Sequence, residues 1–414
     1  MSSSGWKSFS LQNLCSLITD GKHGDCENQD NSGYYFLSAK DVSDGKLFYK
    51  NARQITKEDF EDTHKRTRLE PFDILLTNSG TIGRMAVAPE NELTSKTSFQ
   101  KSVAILKPIK EKALPRFLYY CLLSRKSDIV NTAGGTTQQN LLLGDLRSFE
   151  VKIPENIEIQ RHIADILSSL DDKIELNRQT NVTLEAMAQA IFEEWFVDFK
   201  YLSARDELME SSGLGKIPRG WRIRSLYDSA SYINGAAYKN INFSTDNSGL
   251  PIVKINELKY GITSQTRFTT EELEPKYKIN TGEILFSWSG SPDTSLDIFV
   301  WSGGPAWLNQ HIFRVLPHNA HETHFVYYLL QHLKPIFIEI ARDKQTTGLG
   351  HVTAQDMKRM QVLYPPDSVM QAFSKITSPI YDKILNTDLE TRSLVALRDA
   401  LLPKLMSGEI DVNS

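Results

Sequence analysis

The sequence predicts an α+β fold written twice: two similar globular heads, each followed by a long helix, the two helices pairing antiparallel within one chain. Three observations carry this. Motifs return in order about 210 residues later, far beyond the ~20–50 residues of a solenoid unit, which marks a duplicated domain with a pseudo-two-fold internal repeat. Gly5-Trp6-Lys7 returns as Gly220-Trp221-Arg222, and Ile74-Leu75-Leu76-Thr77-Asn78-Ser79-Gly80 as Ile284-Leu285-Phe286-Ser287-Trp288-Ser289-Gly290. Phe117-Leu118-Tyr119-Tyr120 returns as Phe325-Val326-Tyr327-Tyr328, and Pro154 with Gln160 as Pro365 with Gln371. Each copy opens with short β-branched and aromatic runs between Gly, Asn, Asp and Ser. Each copy closes on apolar residues at helical spacing.

The first head, residues 1–153, is expected to hold strands at Tyr34–Leu37, Ile74–Thr77, Val103–Leu106 and Phe149–Ile153, and a helix at Arg116–Ser124. Pro154 ends it, because proline halts a ladder and can open a helix. Residues 154–200 form the central helical spacer. Here Ile163, Leu167, Leu170, Ile174, Asn177, Asn181, Leu184, Ala188, Ile191 and Trp195 alternate steps of four and three, the seam of a coiled coil. A helix from Gln160 to Val197 would be roughly 57 Å long. Residues 201–219, with Ser211-Ser212-Gly213 and Gly215, read as a linker. The second head, 220–364, is expected to hold strands at Ile252–Ile255, Ile284–Ser287 and Ile312–Leu316 and a helix at Thr323–Ile340. Residues 365–414 form the second spacer, with Phe373, Ile376, Ile380, Ile384, Leu394, Leu397, Leu401 and Leu405 as its stripe. Thr387 and Thr391 interrupt that stripe, Pro379 is expected to kink the helix and Pro403 to end it. A lone helix would leave its seam wet, so the two stripes are expected to cover each other. Asn177 and Asn181 on the seam would fix its register at some cost in stability.

Composition narrows the class. The 414 residues allow two or three domains, and 40% hydrophobic with 24% charged residues is ordinary for a globular protein. Three cysteines without CxxC spacing (Cys15, Cys26, Cys121) point to a reducing cytoplasm and against a thiolate metal site. No signal peptide and no apolar run of about 18 residues is present, so no membrane partner is expected. The net charge of −4 is uneven: residues 155–200 carry ten acids and four bases, so the rest of the chain is at +2. That leaves room for local basic faces.

Head, proline, glutamine-bearing helix start, long helix, then the same again: this layout resembles the specificity (S) subunits of type I restriction–modification systems over essentially the whole chain. The supporting residues are the Gly-Trp openings, the Asn140-Leu141 and Asp145-Leu146 neighbourhood, Asp172-Lys173-Ile174 matched by Asp382-Lys383-Ile384, and the ending Leu401-Leu402-Pro403-Lys404-Leu405. The resemblance implies that the heads are target-recognition domains and the helices conserved spacers. It implies double-stranded DNA as one partner, with two methyltransferase (modification) subunits and, through the complex, restriction/translocase subunits as others. S-adenosylmethionine would then be used on adenine by the modification subunits, and this chain would hold no cofactor. The chain's own motifs agree with a non-catalytic role. It has no Asn-Pro-Pro-Tyr or Asp-Pro-Pro-Tyr, since Tyr364-Pro365-Pro366-Asp367 runs in the wrong order, and no GxxxxGK[ST] phosphate loop. A two-headed coiled-coil scaffold without DNA specificity is the competing expectation. An enzyme with duplicated substrate domains would repeat a catalytic pair in both heads, and no carboxylate or histidine pair does so.

Phosphate contacts position a protein on DNA and base contacts specify the sequence, so candidates are sought in polar loops at matching places. Lys40 and Asp41 match Asn256 and Glu257, with Lys254 just upstream. Asn78, Ser79 and Thr81 with Arg84 form a small polar loop matched by one carrying Ser289. Gln100 and Lys101 stand beside Asn309, Gln310 and His311; Asn and Gln can pair bidentately with adenine. Thr136, Thr137, Gln138, Gln139 and Asn140, after Gly134-Gly135, match Lys344, Gln345, Thr346, Thr347 and His351. His318, His321 and His324 recur every third residue, but the first head has no counterpart. They read as solvated residues at a helix start rather than as a metal site.

Overall fold

The computed structural model describes all residues except 1–4, 44, 135–138, 203–208, 239–240, 346–348 and 413–414. The chain divides into two compact units: Met1–Ile174 with Leu394–Ser414, and Glu175–Ser393. Each unit therefore takes in part of both long helices as well as a head, a division that the head-and-spacer boundaries of the sequence do not show.

Unit 1 is built on a four-stranded antiparallel sheet in the order Cys15–Asp20, Val103–Pro108, Ile74–Thr77, Met85–Val87. The sequence Ile-Leu-Leu-Thr is buried at all four positions, as a strand covered on both faces must be. One face packs on the helix Pro115–Ser124, and Phe117, Leu118 and Leu122 are wholly buried there. Beside it lies a three-stranded sheet in which Tyr35–Leu37 pairs parallel with Thr97–Phe99 and antiparallel with Arg53–Gln54. Trp6–Ser10 pairs with Glu150–Pro154, so the chain closes its first head before the helix begins.

Unit 2 repeats the plan. Its four-stranded sheet runs Ala230–Asn234, Ile312–Pro317, Ile284–Ser287, Asp297–Val300, the same order by repeat position. Leu250–Val253 pairs parallel with Ala306–Leu308 as its counterpart does, and Arg222–Ser225 closes the head against Gln361–Tyr364. Ile255, expected in a strand, instead opens the short helix Ile255–Tyr260, because Glu257 accepts the Lys254 backbone N–H at 3.0 Å and turns the chain. The segment expected as a linker contains a hairpin, Met209–Ser212 on Gly215–Pro218.

The first long helix runs Ile157–Phe196 and the second Asp367–Ser407. Within unit 1, Arg398 Nη1 donates to Asp171 Oδ1 at 2.8 Å, and His162 Nδ1 lies 3.2 Å from the Val412 carbonyl. Within unit 2, Asn177 Nδ2 donates to Glu390 Oε2 (3.0 Å) and Asn181 Nδ2 to the Ile384 carbonyl (3.2 Å). Numbers rise on one helix as they fall on the other in each unit: the pairing is antiparallel, and both seam asparagines are used in it.

The seam differs from the 3.5-residue pattern in detail. Ile163, Leu167, Ile174 and Asn177 are buried, while Leu170, Asn181, Leu184, Ile191, Trp195, Ile380, Ile384, Leu394 and Leu401 are half-buried. Toward the end of the first helix the fully buried residues are Ala188, Phe192 and Phe196, one position on from Ile191 and Trp195. A helix near 3.6 residues per turn drifts about 20° per heptad, and here it turns its aromatic face into the second head. Leu397 is 48% exposed and Ile376 46%, so neither is a seam residue, whereas Thr387, read as an interruption, is buried at 2%. Pro379 and Pro403 neither break nor end the second helix. Side-chain packing on Phe373 and Tyr381 holds the turns around Pro379, and the helix closes at Gly408, whose φ of 73° is the left-handed conformation glycine adopts freely. The three cysteines are buried and unpaired, and burial pushes the Cys121 thiol up to about 12. Among the described residues, no helix is long and apolar enough to cross a membrane.

Candidate nucleic-acid interface

One end of each main sheet is tied together by backbone hydrogen bonds that recur by position. In unit 1, Lys22 N donates to Phe99 O (2.7 Å), Gln100 N to Leu37 O (2.8 Å) and Lys101 N to Lys22 O (3.1 Å). In unit 2, Ala236 N donates to Leu308 O (2.8 Å), Asn309 N to Val253 O (3.0 Å) and Gln310 N to Ala236 O (2.9 Å). Asn78 N donates to Ser102 O and Leu141 N to Asn78 O; Trp288 N donates to His311 O and Val352 N to Trp288 O. The crossing depends on a glycine in each unit. A Cβ on Gly21 would lie 2.0 Å from the Phe99 carbonyl, and one on Gly235 2.2 Å from that of Leu308. In the sequence these glycines are marked only by Asp-Gly-Lys against Asn-Gly-Ala at the end of matching strands.

The frame brings most of the candidate loops to one rim in each unit. In unit 1, Ser102 joins two of them: its hydroxyl accepts Ala39 N at 3.2 Å and its carbonyl accepts Asn78 N at 3.0 Å. Ser79 and Asn140 form a bridge. Lys40, Thr81, Lys101, Gln139 and Asn140 are exposed, and Ser79, Arg84 and Gln100 half-buried. Lys40 and Lys101 are in no ion pair among the described residues, and both face solvent. Lys22, by contrast, is spent on Asp59 (2.6 Å) and Asp62 (3.5 Å). In unit 2, Lys254, Asn256, His311 and Gln345 are exposed, and Ser289, Asn309, Gln310 and His351 half-buried. Ser289 pairs with His351 in a short strand, and Gln310 Nε2 lies 3.1 Å from His311 Nε2. Thr136, Thr137, Gln138, Thr346 and Thr347 lie outside the described residues.

Four candidates are structural instead. Asp41 is buried: its Oδ2 accepts Ser38 N and Ser38 Oγ, both at 2.9 Å, capping the turn Ala39–Asp41. Glu257 does the same at the matching place, and also accepts from Thr266 Oγ1 at 3.1 Å. The acid builds the turn, and the residue before it, Lys40 or Asn256, is left facing solvent. Lys344 is paired with Asp356, the residue that caps the helix Ala354–Arg359. Asn78 is only 7% exposed, and its Oδ1 has no hydrogen-bond partner among the described residues. It points into the frame rather than out of it.

Of the three histidines expected to be solvated, His318 is exposed, His321 half-buried and His324 buried. His324 is buried, its Nδ1 2.8 Å from Ser374 Oγ, and burial lowers its pKa. His318 reaches the Asp228 carbonyl at 3.2 Å. His321, Glu322 and Asp367 place ligand atoms within 4.8 Å of one another. Glu322 is nevertheless occupied by the His318 backbone N–H (3.2 Å) and Asn319 Nδ2 (3.0 Å). The group serves to close the corner between head and helix.

Comparison with known proteins finds the same duplication. The family described as type I restriction modification DNA specificity domain matches twice, over residues 3–186 and 218–393. The type I restriction enzyme MjaIX specificity subunit of Methanocaldococcus jannaschii is 28% identical over 386 residues, covering 91% of this chain and 87% of the relative. The HindI specificity subunit of Haemophilus influenzae is 23% identical over 470 residues, covering 98% of this chain and all (100%) of the relative. In fold, the S subunit of a type I restriction–modification system from M. genitalium superposes with a TM-score of 0.58 at 17% identity, over 98% of this chain and 97% of that one.

Proposed function

The chain belongs to the type I restriction modification DNA specificity family, and from that premise we propose that each unit reads one half of a bipartite, asymmetric site in double-stranded DNA. The observation that carries this is the repeated frame. The backbone at the rim is the same in both units, while the side chains it presents differ: Lys40 against Asn256, Lys101 against Gln310, Asn140 against His351. One scaffold with two sets of donors and acceptors suits two different sequences in the groove.

Catalysis is not asked of this chain. It directs two modification subunits, which use S-adenosylmethionine on adenine, and through the complex a restriction/translocase subunit, in the cytoplasm where the DNA is. The paired helices set the spacing between half-sites and dock the modification subunits. Four residues added to the first helix lengthen it by about 6 Å, close to two base pairs, and should lengthen the recognised spacer without changing either half-site.

The test is a chimera with residues 1–153 taken from a related subunit, its methylated sites mapped by sequencing. One half-site should change and the other persist; a change in both, or in neither, defeats the two-reader assignment. The scaffold alternative predicts no DNA affinity that falls with salt, whereas neutralising phosphates must give such a fall.

A further inference from the structure

At one position the two rims differ in kind rather than in detail. Where unit 1 has Asn78, unit 2 has Trp288, held by the equivalent bonds to His311 O and from Val352 N. The indole is fixed on several sides. Its ring lies 5.6 Å from Phe313 and 5.9 Å from His311, centroid to centroid, and Nε1 donates to Asn234 Oδ1 at 2.9 Å. Phe313 belongs to the core of unit 2, so that neighbour covers part of the ring while the residue stays half-exposed. The only polar group of the indole is already engaged, by the side chain of the exposed Asn234. What Trp288 offers outward is carbon, set among the polar side chains of Gln310, His311 and Asn309. A bare apolar surface ringed by donors and acceptors matches the one apolar feature of a base edge in the major groove, the C5 methyl of thymine.

We propose that Trp288, oriented by Asn234, is a specificity-determining contact of unit 2 for a thymine methyl group. This rests on the reading that the rim faces DNA. Asn234 acts as a positioning residue: it holds the ring and satisfies the indole N–H, so that the ring discriminates by shape and apolar contact. Unit 1, with an inward-pointing Asn78, makes no such contact at its matching position.

The experiment uses the chain in complex with its modification subunits and a duplex carrying its methylated site. Each thymine of the unit 2 half-site is replaced in turn by deoxyuridine, which removes only the methyl group. Binding of the unmodified duplex is measured first; no binding there overturns the DNA-reading assignment itself. With binding present, one deoxyuridine position should weaken affinity about fourfold, the value of one buried methyl-sized group. The same position should have no effect in Trp288→Ala, while Trp288→Phe keeps a reduced response. Asn234→Ala should shrink the response without changing the half-site of unit 1, whose retention also shows that the variants are folded. A half-site insensitive to deoxyuridine at every position, or an undiminished response in Trp288→Ala, overturns the proposal.

Discussion

The two units fasten head to helix by the same strategy with different chemistry. In unit 1 the corner is closed by Gln160, wholly buried at the start of the first helix. Its Oε1 accepts Leu114 N (2.9 Å), and its Nε2 donates to Lys112 O (3.0 Å) and Pro154 O (2.8 Å). Its repeat partner Gln371 is exposed; in unit 2 Glu322 binds its own turn, and His321 Nε2 lies 3.8 Å from Asp367 Oδ1 at the start of the second helix. Farther along, Tyr120 donates to Asp171 at 2.7 Å, and Arg398 balances that carboxylate. In unit 2, Tyr327 donates to Glu185 at 2.7 Å, and no cation pairs with Glu185 among the described residues. Burial raises the Glu185 pKa, with the Tyr327 hydroxyl pulling it partly back. The repeat thus keeps a tyrosine–carboxylate contact between head and helix, but makes it with Tyr327 rather than with Tyr328, the repeat partner of Tyr120, and with a different charge balance.

Substitution at the two glutamines should separate the units most. Gln160→Ala strands three buried backbone groups and should cost about 3 kcal/mol, whereas Gln371→Ala should stay within about 0.5 kcal/mol. Thermal unfolding of the full chain measures both, and equal losses would show that the corners are alike after all. Arg398→Met comes next. It leaves Asp171 with only the Tyr120 hydroxyl and should lower stability by about 2 kcal/mol.

Glu185→Gln should act in the opposite direction, on the order of 1 kcal/mol stabilising at pH 8, since a neutral amide still accepts the Tyr327 proton. The sign follows from linkage. A carboxyl whose folded pKa is raised contributes its stability below the unfolded value and loses it as pH rises through the folded one. The wild type should therefore lose stability across that window and the Gln variant should not. Melting curves between pH 4 and 8 decide; parallel pH profiles would mean that Glu185 is not the group responsible.

Smaller still is the contrast within the Ser38–Asp41 turn. Asp41→Ala should cost about 1 kcal/mol through the lost cap. Lys40→Ala should leave the melting temperature unchanged while lowering the salt slope of DNA binding by about one. A Lys40 variant with an unaltered slope would remove that lysine from the phosphate contacts.

Much of this was legible in sequence. Ile74–Thr77 and Ile284–Ser287 were placed to the residue, because a central strand buried on both faces must be an uninterrupted apolar run. The duplication made each head a check on the other; the 4-3 stripe marked the first long helix with Asn177 and Asn181 on its seam, and a looser stripe marked the second. The rim was legible only as composition. Polar loops could be found, but Asp41, Glu257 and Lys344 carry the same chemistry as true surface contacts and are spent on caps and ion pairs. Local periodicity, turn residues and repetition are properties of neighbours along the chain, and the sequence determined whatever depended on them. Which turn of a helix faces a head, which glutamine is buried and which side of a loop meets solvent depend on residues far apart along the chain. Gly21 against Phe99, Trp288 against Asn234 and Ala188, Phe192 and Phe196 against the second head are such cases. Only tertiary packing brings those partners together, so only the tertiary structure could decide them.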